Sequence, residues 1–216
     1  GVMGTLSNRR ALTFFALVAA SGFCGALLLY RATQTSTDSY RFLVWNLVLA
    51  WIPFLVALGL YDAARRRRPR AVQLGLAVAW LLFLPNAPYI VTDLVHVGRI
   101  GGAPIWFDAL LVSSFAATGL LLGFGSLLLV QTVVTRARGA LWGWLMLGPV
   151  LALCAVGIVL GRIHRFNSWD ALLRPDALVT TIGNGLTDPA RATHSAMLVA
   201  ALTVSLGVGY LVLYAF

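Results

Sequence analysis

Asp93 and His96 stand three residues apart, a spacing that sets a carboxylate and an imidazole on one face of a helix. Such a pair can pass a proton as general base and partner, or supply part of a metal site. Arg162 and Arg165 repeat the spacing with two guanidiniums, which together can grip a phosphate or carboxylate bidentately. Asp108 adds a second carboxylate beside Trp106. Each group also has a purely structural use. Asp93 can pair with Arg99, Arg162 or Arg165. Asp108 can complement a helix dipole next to an interfacial tryptophan, and arginines are favoured where a helix ends. The three histidines (96, 164, 194) have no helical ligand spacing, so no metal site is expected, and no cofactor-binding pattern is visible.

These groups sit in a chain that is 60% hydrophobic and 11% charged, with a mean hydropathy of +0.87. That balance excludes an ordinary soluble domain and places the chain in a lipid bilayer. The net charge of +9 does not argue for nucleic acid. All 16 basic residues are arginine and all seven acids are aspartate, a bias that fits a GC-rich genome. Cys24 and Cys154 fall inside apolar runs and read as small buried hydrophobes rather than a disulfide.

Apolar runs of about 20 residues match the thickness of a bilayer core. Six are expected, at about 11–30, 42–61, 71–91, 106–134, 140–160 and 195–216, forming one integral membrane domain over residues 1–216. The fold class is therefore all-α, a polytopic transmembrane bundle. Arg9-Arg10 ahead of the first run resembles a signal peptide, but the run is long and lacks a clear cleavage site, so it reads as a retained span. Arg65-Arg66-Arg67-Arg68-Pro69-Arg70 marks a cytoplasmic loop by the positive-inside rule, and alternation puts both termini on that side. Nine arginines against Asp62 then face inward, net +8, and seven arginines against six aspartates face outward, net +1.

In this arrangement the polar segments of mixed chemistry fall on the outer side. Trp45-Asn46 lies a turn into span two, Trp106 and Asp108 open span four, and Gly161–Asp170 follows span five. Span three is expected to break at Pro85–Pro88, because Pro85 removes a donor and blocks the carbonyl four residues earlier. At ~1.5 Å per residue from Ala71, that break lies about 20 Å into the membrane. Broken helices at such depth line cavities or are buried in protein, and Asn86 can bond the freed carbonyls. Residues 167–182 suggest a short interfacial helix and Gly183–His194 an exposed loop. Gly119-x-x-x-Gly123 and Gly157-x-x-x-Gly161 suit close helix packing within the chain.

Trp45-Asn46-Leu47 with Ala50–Pro53, Phe83–Asp93, Trp106–Asp108 and Leu160–Arg162 with Arg165–Asp170 together resemble the bacterial membrane proteins grouped as domain of unknown function 1361. The resemblance covers spans two to five and the loop after them. It implies a multi-span α-helical fold in a bacterial plasma membrane and brings no catalytic residues. His164 departs from that pattern, which more often has an apolar or aromatic residue there.

The functional expectation is a polar cluster at the extracytoplasmic face drawn from Asn46, Asn86, Tyr89, Asp93, Trp106, Asp108, Arg162, Arg165, Asn167, Trp169 and Asp170. Within it Asn86, Asp93, Asp108, Arg162 and Arg165 are expected to form one connected network. Such a cluster suits a binding or assembly module for a small anionic ligand, a lipid headgroup or a membrane-protein partner. The alternative is a membrane-embedded enzyme acting on an outer-leaflet or lipid-linked substrate, with Asp93 and His96 as its acid/base pair. Against the enzyme stands the lack of a nucleophile motif, metal-ligand set or Gly-rich phosphate loop. Against a carrier stands the lack of an internal repeat.

Overall fold

The computed structural model describes residues 2–98, 100, 102–166, 168–187 and 189–215, with side chains throughout except at 2–10, 164, 171, 172, 182, 184–187 and 189–191. In chain order the helices are α1 (Val2–Thr35), α2 (Phe42–Arg65), α3 (Arg70–Phe83) and α4 (Asn86–Tyr89), followed by a 3-10 segment, Ile90–His96. Then come α5 (Ile105–Arg138), α6 (Ala140–Leu145), α7 (Leu147–His164), α8 (Asp170–Leu173), α9 (Pro175–Thr187) and α10 (Pro189–Ala215). Six stretches are long and apolar enough to cross a membrane: Ala11–Thr35, Phe42–Arg65, Arg70–His96, Ile105–Arg138, Ala140–Ile163 and Ala192–Ala215. The protein is a polytopic helical bundle whose third span is bent.

Helix α5 is the hub, packing against α1, α2, α4, the 3-10 segment, α6 and α10. One core joins α1, α2, α4, the 3-10 segment and α5 around Leu43, Leu47, Ile90, Leu111 and Phe115. A second joins α2, α3, α5, α7 and α10 around Trp80, Leu127, Cys154, Ile158 and Tyr210. Both cysteines are free and buried. Exposed tryptophans mark the two ends of the bundle, Trp45 and Trp106 at one and Trp142 and Trp144 at the other, as aromatic belts do at a membrane–water boundary.

The break in span three is a tightening rather than an unwinding. Leu84 and Pro85 keep right-handed helical dihedrals. The Ala87 amide, which would reach Phe83 in a regular helix, bonds the Leu84 carbonyl instead at 3.1 Å. Asn86 Nδ2 donates to the Phe83 carbonyl left over, at 2.9 Å. The chain then runs on as 3-10 to His96.

Two glycine pairs clamp this segment from opposite sides. A Cβ on Gly119 would lie 2.5 Å from the Ala87 carbonyl oxygen, and one on Gly123 3.1 Å from the Ala87 methyl. A Cβ on Gly157 would lie 2.5 Å from Pro85 Cγ, and one on Gly161 3.2 Å from Tyr89 Cε2. The small-residue faces of α5 and α7 therefore let the kinked segment seat directly against both helices, the use such faces have where apolar packing alone gives no driving force.

Three expectations about the elements change. The first helix runs to Thr35 rather than 30, which carries Arg31 into the bundle. Residues 170–187 form two helices, split at Arg174 (φ −140°, ψ 53°), because the residue before Pro175 is sterically excluded from the helical region. The loop expected over Gly183–His194 is helical on both sides of Asp188, which lies outside the described residues. Pro189 suits the first position of α10 with its preset φ, and the neighbouring glycines do not stop α9 at 183.

Candidate functional site

The end of the bundle remote from Arg65–Arg70 gathers the polar side chains. Asp93 lies in the 3-10 segment, where residues i and i+3 eclipse. His96 is thus stacked on it, with Nδ1 3.2 Å from the Asp93 main-chain oxygen and 4.0 Å from Oδ1. Asn46, a turn into α2, donates from Nδ2 to Asp93 Oδ2 at 2.7 Å. Arg162, in the last turn of α7, donates from Nη1 to Oδ1 at 3.4 Å. Asp93 is 2% exposed, whereas His96 and Arg162 are 33% and 32% exposed. The carboxylate is the buried anchor of this group, and the cation and imidazole are its accessible edge.

Asp108 belongs to a different network. In the first turn of α5 it meets Arg31, whose Nε and Nη2 donate to Oδ1 and Oδ2 at 2.7 and 3.3 Å. Both side chains are 1% exposed. The guanidinium lies over the Tyr40 ring at 4.6 Å and donates from Nη1 to Thr37 Oγ1 at 3.2 Å. The Tyr40 hydroxyl lies within donating distance of the His96 carbonyl, 3.1 Å, and of Asp108 Oδ2, 3.4 Å. Burial first, and then the charge of Asp108, push the Tyr40 phenol above its ordinary value, so it stays a donor.

A third group is held by Asn86, whose Nδ2 also donates to Ser168 Oγ at 2.7 Å. That bond fastens the turn after α7 to the kink in span three. Trp169 is half-buried and Asp170 buried beside it. Arg165 is exposed and left-handed (φ 56°, ψ 32°), where it ends α7.

The five residues expected in one network are therefore divided. Asp93 meets Arg162, Asp108 meets Arg31, and Asn86 meets Ser168. Arg165 is not joined to either aspartate among the described residues, because the left-handed turn takes it out of helical register with Arg162. Tyr89 packs its ring against Gly161, and Trp106 is exposed. Arg99 and Asn167 lie outside the described residues, as does the His164 side chain. Among the described residues no group of three or more His, Cys, Asp or Glu side chains is placed to hold a metal.

Sequence reasoning missed Arg31, Tyr40 and Ser168. An arginine directly after an apolar run reads as a snorkelling cation, and nothing local tells that Arg31 turns inward. Tyr40 lies in the α1–α2 connection, and the acceptors within reach of its hydroxyl, the His96 carbonyl and Asp108, are 56 and 68 residues away in sequence. Ser168 stood inside a noted motif without a role of its own.

The chemistry open to the site follows from the pairing. Both Asp93 oxygens are engaged and shielded, which leaves the carboxylate poorly placed to take a proton from a substrate. A guanidinium has five N–H donors, and Arg162 commits one of them among the described residues. The accessible, oriented group is thus a cation suited to an anionic partner.

Comparison with curated proteins and with solved structures gives no match. The model of the family described as "Protein of unknown function (DUF1361)" matches residues 45–208. The matched stretch holds Asn46, Asn86, Asp93, Asp108, Arg162 and Ser168, while Arg31 and Tyr40 precede it. With most of its length matched, the chain belongs to this family.

Proposed function

We propose that this protein is a binding or assembly module of the bacterial plasma membrane that engages an anionic group at its extracytoplasmic face. The group is a small ligand, a lipid headgroup or a charged segment of a membrane-protein partner. The observation that carries the reading is Arg162, one-third exposed and fixed from behind by a buried carboxylate that Asn46 holds in turn. A guanidinium tethered in this way has less rotamer freedom to lose on binding, which lowers the cost of gripping a carboxylate or phosphate. The orientation rests on charge: Arg65–Arg70, Arg136 and Arg138 lie at the opposite end, which the positive-inside rule assigns to the cytoplasm with both termini.

The competing reading is a membrane-embedded enzyme with Asp93 and His96 as acid and base. The one-third-exposed imidazole next to the carboxylate favours it, and the double engagement of Asp93 speaks against it. Thermal unfolding of the detergent-purified protein with inorganic phosphate, citrate and phosphatidylglycerol tests the binding reading. Stabilisation by one of these probes that disappears in Arg162→Gln supports it. Identical responses of Arg162→Gln and the parent protein to all three sink it. Single-cysteine labelling at positions 38 and 67 in intact cells checks the orientation, with position 38 reacting with an impermeant reagent and position 67 protected.

A further inference from the structure

The Arg-rich end of the bundle contains a cleft of about 200 Å³ framed by α2, α3 and α5. Its polar lining is Tyr61 and Arg65 from α2, Gln73 from α3 and Arg136 from α5. Arginines at a helix end need no defined geometry to orient a membrane protein, yet here one of them is built into place. Arg136 lies over the Tyr61 ring at 5.4 Å and donates from Nη1 to the Tyr61 hydroxyl at 2.9 Å. Gln73, on the cleft wall, donates from Nε2 to the Arg68 carbonyl at 2.8 Å, which ties the start of α3 to the turn that follows α2.

The local charge is uncompensated on one side only. Asp62 is the one acid in this part of the sequence, and Arg66 takes it, with Nε 2.8 Å from Oδ2. Arg65 and Arg136 have no carboxylate partner among the described residues. At roughly 30 Å³ per water, the cleft has room for a phosphate and part of its shell.

We propose that this cleft is a phosphate-binding site, with Arg65 and Arg136 as the cationic jaws and Tyr61 as the residue that orients Arg136. The phosphate comes either from the phosphodiester of an anionic lipid or from a soluble anion. Basic pockets between spans, opening at the level of the headgroups, hold anionic lipids by this chemistry. The site lies at the opposite end of the bundle from Arg162 and is independent of the function proposed above.

Native mass spectrometry of the detergent-purified protein, with phosphatidylglycerol and phosphatidylcholine added in turn, tests the proposal alongside thermal shifts with inorganic phosphate. The Arg65→Gln/Arg136→Gln double variant is compared with Arg67→Gln/Arg138→Gln, which removes the same charge from the same end outside the cleft lining. Measured in an Arg162→Gln background, which silences the site proposed above, a lipid site predicts a loss of about tenfold in phosphatidylglycerol occupancy for the cleft variant, with the control within twofold of that background. In the same background a soluble-anion site predicts that the cleft variant, and not the control, loses the phosphate-induced thermal shift while lipid occupancy is unchanged. Tyr61→Phe should give a partial loss in whichever readout responds. Equal losses in the cleft and control variants, or no difference between the two lipids together with no phosphate shift, overturn the proposal.

Discussion

The Tyr40 hydroxyl donates to the main-chain oxygen of His96 at 3.1 Å, across a sequence separation of 56 residues. Tyr40 is wholly buried, and Asp108 lies on the other side of the same hydroxyl. One phenol thus ties the buried Arg31–Asp108 pair to the 3-10 segment that presents Asp93 and His96. Tyr40→Phe should cost about 1–2 kcal/mol, the usual penalty for leaving a buried partner unbonded, measured by unfolding in detergent. The raised phenol pKa gives this bond a pH signature. Its contribution is fully present below the unfolded value near 10 and fades as pH rises through the higher folded value. The stability difference between the parent and Tyr40→Phe should therefore shrink at strongly alkaline pH, and a difference that grows there contradicts the assignment.

Arg31 and Asp108 form a pair whose worth lies in what breaking it exposes. Arg31→Met strands a carboxylate at 1% exposure, for which about 3–5 kcal/mol is expected. Adding Asp108→Leu should recover most of that loss, since removing both charges leaves nothing unpaired. By contrast, Arg41→Gln breaks a pair with Asp38 that is about three-quarters exposed on both sides, and it should cost no more than about 0.5 kcal/mol. A double variant no better than Arg31→Met would show that the packing of the arginine stem, and not its charge, is what matters.

The contrast between the two aspartates shows how far the residues alone could be read. The break at Pro85 follows from the missing proline donor, and the bond from Asn86 to the Phe83 carbonyl follows from the acceptor that the break frees. Both are local consequences of covalent structure. Asp93 and Arg162 lie in segments that alternation of the spans already brings to one end of the bundle. Arg31 could not be placed this way. Its partner is 77 residues distant, and its role depends on α1 continuing for one more turn and rotating the side chain inward. The helical state of 183–187 was hidden by a comparable ambiguity, because Gly183 and Gly185 resemble a loop and Pro189 marks the start of a helix as readily as the end of one.

The glycine clamps make a prediction with its own internal control. In Gly119→Ala and Gly157→Ala the new methyl would stand 2.5 Å from the Ala87 carbonyl and from Pro85 Cγ respectively, so the kinked segment must move. Each should lose about 1–3 kcal/mol. Gly25→Ala has nothing within 4 Å of its new methyl and should be neutral or slightly stabilising. Thermal unfolding of the three variants in one detergent decides it, and losses of similar size at all three sites would mean that the glycines serve the helix backbone rather than the fit around the kink.

Asn86 has two acceptors, and their separate contributions can be measured. Asn86→Ala leaves both the Phe83 carbonyl and Ser168 without its amide, whereas Ser168→Ala removes only the link to the turn after α7. The first should cost about 1–2 kcal/mol and the second roughly half as much. The two should also differ in where the structure loosens. Hydrogen exchange in Ser168→Ala should rise around 168–173 and remain slow across 83–89, while in Asn86→Ala it should rise in both stretches. Exchange that stays slow across 83–89 in Asn86→Ala would mean that the glycine clamps on α5 and α7 hold the kink without help from the Asn86 amide.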